Sequence, residues 1–191
     1  MSDHMAAEIR IGGKIAASLV LDLCQAISEQ GVKLEWGAAQ FQPASEAELL
    51  EHRRELDGAL LLWLYDDQAR WGEFAELEAF LREHDIPFTR QCDGAYEYDP
   101  EVVEFRPGSD PVTILTNKSG EPVVPVSTIT NLTNALNAVA TAASRSAMMR
   151  HVKAVQRLLA DILPPEVPAL ESLEIVAAEG VFYSTIPYGQ T

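Results

Sequence analysis

The sequence predicts an α+β protein: a ferredoxin-like N-terminal sheet domain with an added β-hairpin, followed by a mainly helical C-terminal segment. Segments 9–36 and 60–91 each show a strand, an amphipathic helix, a turn and a second strand. Two such units in series give the ferredoxin-like order β-α-β-β-α-β. A long helical pattern then occupies 127–163. The 191 residues, 47% hydrophobic and 23% charged, can form a sizeable core without disulfides.

The first unit begins with an alternating strand at 8–15. An amphipathic helix is predicted over 17–30, where apolar residues recur on one face, and Gly31 lies where a helix-ending glycine is expected. Alternation at 32–36 predicts the second strand of the unit.

A short helix is predicted between the two units. Ser45 and Glu48 have the spacing of a capping box, and the helix is expected to continue to about Leu56. Asp57 and Gly58 are expected to end it.

The second unit begins with a near-continuous apolar run at 59–65, which is typical of a central strand buried on both faces. The pair Asp66-Asp67 is expected to close that strand. An amphipathic helix is predicted at 73–84 and a strand at 86–91, where Pro87 indicates an edge position.

The rest of the chain predicts a hairpin, a linker and helices. Two alternating runs within 95–105 flank residues 99–101, which favours a β-hairpin. The apolar stripe of the predicted helical segment changes side, so the segment is expected either to break within 141–146 or to form one long helix that packs against different neighbours at each end. A final strand or tail is expected at 181–186. The expected division is 6–106 as an acidic α+β domain, 107–125 as a linker with a short strand at 112–115, and 126–191 as a helical segment with a C-terminal strand or tail.

The net charge of −15 is concentrated in the N-terminal part of the chain. Residues 1–110 hold 9 basic and 23 acidic residues, whereas 111–191 hold 5 and 6. A surface of one sign repels nucleic acid and anionic membranes and attracts basic partners. We therefore expect a basic or nucleic-acid-binding protein as partner, with no direct nucleic-acid or membrane binding. The basic helical face of Arg150, Lys153 and Arg157 is expected to be solvated or to pair with the acidic half of the chain.

The candidate partner-binding residues are carboxylates and aromatics on predicted ordered elements. The acidic set is Glu46, Glu48, Glu51, Glu55, Glu73, Glu76, Glu83, Glu97, Asp99, Glu101 and Glu104. The aromatic set on the predicted hairpin is Tyr96, Tyr98 and Phe105, which are expected either to meet a partner or to pack against the sheet.

These features predict a non-enzymatic, cytoplasmic protein-binding module. Its sharpest form is an inhibitor that imitates the charge of DNA, as anti-restriction and anti-CRISPR proteins do. The alternative is an enzyme with a carboxylate-based, metal-dependent site around Asp66 and Asp67. No histidine or cysteine spacing indicates a metal site, and no phosphate-binding glycine motif occurs, so no cofactor is expected. The C-terminal helical segment is expected to cover the sheet or to form a homodimer.

Overall fold

The computed structural model describes residues 4–95 and 98–177. Its strands are β1 (His4–Ile11), β2 (Lys14–Ala16), β3 (Arg53–Leu56), β4 (Ala59–Arg70), β5 (Phe88–Cys92), β6 (Glu101–Phe105), β7 (Val112–Leu115) and β8 (Glu174–Val176). Its α-helices are α1 (Val20–Gln30), α2 (Glu46–Glu51), α3 (Ala75–Glu83), α4 (Val126–Ala140) and α5 (Arg145–Ile162). The predicted mixture of helices and an extended sheet is confirmed.

One six-stranded antiparallel sheet organises the chain, in the order β3-β4-β1-β5-β6-β7. Alternate residues of the strands point to the helices, and Ile9, Leu64 and Phe88 are fully buried there. Helix α1 packs against both α2 and α3 on this side of the sheet, with Leu23 and Leu77 in the common core. The opposite face of the sheet carries no helical layer of its own within the described ranges.

The second strand of the first unit was predicted at 32–36, but the structure has it at β3, after α2. Residues 32–36 form no strand, and only Lys33 exchanges backbone hydrogen bonds with Tyr65, both of 2.8 Å. The predicted helix from 45 to Leu56 ends at Glu51, and the following residues form β3. One half of the predicted capping box is present, because the Glu48 amide donates to Ser45 Oγ at 3.4 Å, whereas the Glu48 carboxylate accepts the Ala44 amide and not that of Ser45.

The Asp57–Gly58 turn explains this difference. Both residues have positive φ, 52° and 84°, and they connect β3 directly to β4. Such a pair forms the two-residue turn that matches the twist of a β-hairpin. The dipeptide therefore reverses the chain between two strands and does not end a helix.

Strands β4 and β5 also differ from expectation. β4 continues to Arg70, so Asp66 and Asp67 lie inside the strand and do not close it. β5 lies between β1 and β6, so the predicted edge position is wrong. Pro87 immediately precedes the first residue of β5, where its missing N–H removes no bond of the ladder.

The predicted hairpin across 95–105 is wrong as well. Its first arm shows only an isolated bridge between Ala95 and Tyr98, and Tyr96 and Glu97 lie outside the described residues. The second arm is β6, an interior strand between β5 and β7. The short strand expected at 112–115 is confirmed as β7, at the edge of the sheet.

The C-terminal part forms a helical hairpin and a returning strap. Helices α4 and α5 pack against each other across the break at 141–144, which confirms the predicted interruption. The strap, residues 163–177, returns to the sheet, where Leu173 is fully buried and β8 pairs in parallel with β2. The segment at 181–186 lies outside the described residues, and the division into domains stays a prediction. No helix of the described residues is both long and apolar enough to cross a membrane.

Candidate acidic interface

The outward faces of three helices form the candidate interface. We call it the acidic helical layer. It consists of exposed carboxylates of α1, α2 and α3 and one just before α3, namely Asp22, Glu29, Glu46, Glu51, Glu73, Glu76 and Glu83. These residues are exposed because the apolar residues of the same helices face the sheet. The fold thus gathers carboxylates from distant parts of the sequence on one side of the protein.

The charge of the acidic helical layer is not neutralised locally. None of its seven carboxylates takes part in an ion pair among the described residues. Arg82 is the one basic residue that α1, α2 and α3 contain. A surface of this kind attracts cationic groups over about a Debye length, roughly 8–10 Å at physiological ionic strength.

Several predicted carboxylates lie outside this layer. Glu48 is half-buried and accepts the Ala44 amide at 3.1 Å, so it serves the start of α2. Glu55 is exposed on the edge strand β3, and Asp99 is exposed in the loop before β6. Glu104 lies on the opposite face of the sheet, 3.7 Å from Arg106. The predicted acidic residues therefore do not form one surface. Some lie in the acidic helical layer, some lie elsewhere on the protein, and some contact groups of the protein itself.

The aromatic set is divided too. Phe105 is 5% exposed and packs on Phe88 with ring centroids 5.6 Å apart, so the expectation of a surface role for Phe105 is wrong. Its position in β6 points it into the core between sheet and helices. Tyr98 is exposed and meets the edge of Trp71 at 5.4 Å.

A buried ionic cluster uses another predicted carboxylate. Arg90 on β5 is 3% exposed, and its Nε lies 2.9 Å from Glu78 Oε1 of α3. Its other nitrogens donate to Glu101 at 2.8 Å and to the Gly72 carbonyl at 2.7 Å. Burial raises the pKa of the Glu78 carboxyl, and the charge of Arg90 opposes that rise. Glu101 is thus held by an internal cation.

The two aspartates considered for the enzymatic alternative each have a partner of their own among the described residues. Asp67 pairs with Lys33, and the hydrogen bond from Lys33 lowers the pKa of the Asp67 carboxyl. Asp66 accepts the Gln68 amide at 2.8 Å. Within the described ranges, no three histidine, cysteine or acidic side chains come together in a way that could hold a metal ion. The two cysteines, Cys24 and Cys92, are buried free thiols.

The face of the sheet away from the helices carries an aromatic arrangement that was not predicted from the sequence. Trp63 and Tyr65 stack with centroids 5.8 Å apart, and the Arg10 guanidinium lies 5.3 Å from the Trp63 ring. Trp36 meets the edge of Tyr65 at 4.7 Å. Burial raises the pKa of Glu8, which lies beside Arg10. The aromatic residues at alternate positions 63 and 65 were the sequence signal that the two rings share one face of β4.

No protein-family model, curated protein or solved structure matches this chain.

Proposed function

We propose that this protein is a non-enzymatic binding module that recognises a basic protein surface through its acidic helical layer. The observation that carries the proposal is the set of seven exposed carboxylates of this layer, six on α1, α2 and α3 and one just before α3, none of them in an ion pair among the described residues. Fixed charge of one sign on rigid elements steers a complementary partner and sets its orientation.

The sharper form of the proposal is inhibition by charge imitation. A nucleic-acid-binding protein presents a basic surface that has evolved to meet duplex phosphates. A rigid acidic layer can occupy that surface and exclude the nucleic acid. Support comes from the placement of the carboxylates on helices packed to a common core, which fixes their mutual positions.

The test removes charge from the layer without disturbing the core. A fourfold variant, Glu46→Gln, Glu51→Gln, Glu76→Gln and Glu83→Gln, changes only exposed side chains. The matched control is Asp110→Asn, Asp161→Asn, Glu166→Gln and Glu174→Gln, which removes the same charge from exposed sites elsewhere. Both variants and the parent protein are immobilised, and bacterial lysate proteins are bound at low salt and at about 0.5 M salt.

The parent and the control should retain basic proteins at low salt and release them at high salt. The layer variant should retain much less of these proteins even at low salt. Charge imitation further requires that duplex DNA release the retained proteins. Equal retention by the layer variant and the control would contradict the assignment of the surface. Retention that DNA does not reverse would support the binding module and reject the DNA-mimic form.

We also infer the ferredoxin-like arrangement for residues 4–92. Its support is the order β1-α1-β3-β4-α3-β5, to which β2 and α2 are additions, together with the spatial order β3-β4-β1-β5, in which all adjacent strands are antiparallel. In this interpretation β6 and β7 extend the sheet beyond the basic unit, in place of the added hairpin. The cytoplasmic location expected from the sequence stays a prediction.

A further inference from the structure

A pocket of about 360 Å³ lies beside the start of α3. Its floor is a row across the sheet, in which Cys92 of β5 pairs with Glu101 of β6 and Glu101 pairs with Leu115 of β7. Residues paired in register point to the same face, and Cys92 belongs to the core between the sheet and the helices. The pocket therefore lies on the same side of the sheet as the acidic helical layer. We call it the aromatic pocket, after the two rings that line it, Trp71 and Tyr98.

The turn after β4 supplies one wall of the aromatic pocket. Trp71 and Gly72 both have positive φ, 60° and 71°, which is unfavourable for a side chain as large as that of tryptophan. The turn is fixed at Gly72, whose carbonyl accepts Arg90 Nη1 at 2.7 Å. A Cβ on Gly72 would lie only 2.7 Å from the Cβ of Cys92, so the turn also lies close against β5. These contacts hold the Trp71 ring at the pocket.

The loop before β6 supplies the other wall. Ala95 and Tyr98 exchange backbone hydrogen bonds of 3.0 Å and 2.9 Å, and Tyr98 and Asp99 both line the pocket. The Tyr98 ring lies 5.4 Å from the Trp71 ring, with 75° between their planes. Two rings close to perpendicular form a corner, in which a cation can contact the electron-rich face of each. Both rings are partly exposed, so the corner is accessible from outside.

The charges at the aromatic pocket have one sign. Glu73, Asp99 and Glu101 line it, and no basic side chain of the described residues does so. Glu73 and Asp99 are exposed and form no ion pair within the part of the chain that the structure describes. The Arg70 guanidinium, which is not among the lining groups, lies 5.8 Å from the Trp71 ring, so this ring already contacts one cation. Rings and carboxylates thus both favour a positively charged ligand.

We propose that the aromatic pocket receives the cationic end of a lysine or arginine side chain from the basic protein that the acidic helical layer binds, an inference that rests on the proposed function. Glu73 belongs both to the layer and to the pocket, so the two surfaces are continuous. The ring corner and the carboxylates hold the charged end, and Met5 and Leu115 contact the methylene stem. The layer attracts the partner from a distance, and the pocket fixes the position of one of its side chains.

Titration of the full chain with small probes tests the aromatic pocket without a partner protein. The probes are N-acetyl-lysine methylamide and N-acetyl-arginine methylamide, and N-acetyl-norleucine methylamide supplies the same kind of stem without the charge. The chain has three tryptophans, whose indole N–H signals are followed by NMR, and Trp71→Phe identifies the signal of Trp71. A cationic probe should shift the Trp71 signal saturably, with a dissociation constant on the order of millimolar. The norleucine probe should not, and the signals of Trp36 and Trp63 should stay in place.

Two variants remove the parts of the pocket that recognise the cation. Tyr98→Leu removes one ring, and Glu73→Gln with Asp99→Asn removes the two unpaired carboxylates; all three side chains are exposed. Each variant should weaken binding of the cationic probe about threefold or more. Tyr98→Leu should also retain less basic lysate protein than the parent, although its acidic helical layer is intact.

Matched controls change the same groups elsewhere. Trp36→Leu removes an exposed ring that meets Tyr65 at 4.7 Å, and Glu46→Gln with Glu51→Gln removes two exposed carboxylates from α2. Both controls should leave the affinity for the cationic probes within about twofold of the parent, because surface charges outside the pocket contribute little.

Three results would overturn the proposal. The norleucine probe shifts the Trp71 signal as strongly as the cationic probes, Tyr98→Leu retains basic proteins as well as the parent, or tetramethylammonium binds while neither side-chain probe does. The last result would assign the pocket to a free quaternary ammonium ligand. Failure of the proposed function is distinguishable, because it appears as unchanged protein retention by the layer variant while the probes still bind at Trp71. Absence of probe binding together with salt-sensitive protein retention rejects the aromatic pocket alone.

Discussion

Replacing Arg90 with methionine should destabilise the fold strongly at neutral pH. Methionine keeps an unbranched side chain in the core but removes the cation that contacts Glu78 at 2.9 Å and Glu101 at 2.8 Å. Glu78 is 6% exposed, so its carboxylate would retain the Phe74 amide as its hydrogen-bond donor but would lose its charge partner. Breaking a buried ion pair in this way costs about 3–5 kcal/mol. That is a large part of the roughly 5–15 kcal/mol that stabilise a typical domain.

The effect of Arg90→Met should depend on pH with a defined sign. Burial raises the pKa of Glu78 in the folded protein above its ordinary value, and Arg90 is the group that opposes this rise most. A carboxyl whose folded pKa is raised stabilises the fold below its ordinary pKa, and that contribution is lost as pH rises through the folded pKa. Without Arg90 the folded pKa rises further, so the deficit should be greatest near pH 7 and should shrink toward about pH 4.

Urea unfolding of the parent and Arg90→Met at several pH values measures the free energy of unfolding. Glu101→Gln is the control, because Glu101 is only partly buried and its loss should cost about 1 kcal/mol or less. The double variant Arg90→Met with Glu78→Leu should recover much of the stability lost in Arg90→Met, since no buried charge remains. A deficit of less than about 1 kcal/mol, or one that is the same at pH 4 and pH 7, would refute the reasoning.

Two further substitutions test local features. Ser45→Ala removes the side-chain acceptor at the start of α2 and should cost about 0.5–2 kcal/mol in thermal or urea unfolding, with Ser45→Asp as the nearly neutral control. Gly12→Ala would place a Cβ in collision with the Glu171 carbonyl oxygen. The strap should therefore detach, and limited proteolysis should cut within 163–175 faster than in the parent. Unchanged cleavage would show that the strap does not depend on this close approach.

The parts of the fold that the sequence could predict are those determined by local periodicity. Helix α3 and the break between α4 and α5 follow from apolar spacing and were predicted within a few residues. The prediction of a helix up to Leu56 was wrong because residues 46–56 are mostly good helix formers. The Asp57–Gly58 turn instead favours a hairpin. Pairing with β4 decided the outcome, and local propensity does not include such tertiary pairing.

The candidate interface was only partly predictable for a related reason. Charge counts identify how many carboxylates the chain has, but not which of them meet an internal cation. Glu101 belongs to the acidic set by sequence, yet β5 and β6 are neighbours, and this places it beside Arg90. Glu78 of α3 is buried beside Arg90 of β5. Only the three-dimensional arrangement separates these carboxylates from the exposed ones on α1 and α2.

The strap gives the helical hairpin the topology of an insertion. The chain leaves the sheet after β7 and returns to it at the strap, where the Arg106 side chain donates to the Pro168 carbonyl at 2.7 Å and the Gly13 amide donates to Glu171 at 3.0 Å. Both ends of the excursion are therefore held by the same sheet. A short flexible bridge in place of 126–162 would leave every strand with its present neighbours. The hairpin therefore occupies the position of an insertion between β7 and the strap, and no strand of the six-stranded sheet comes from it.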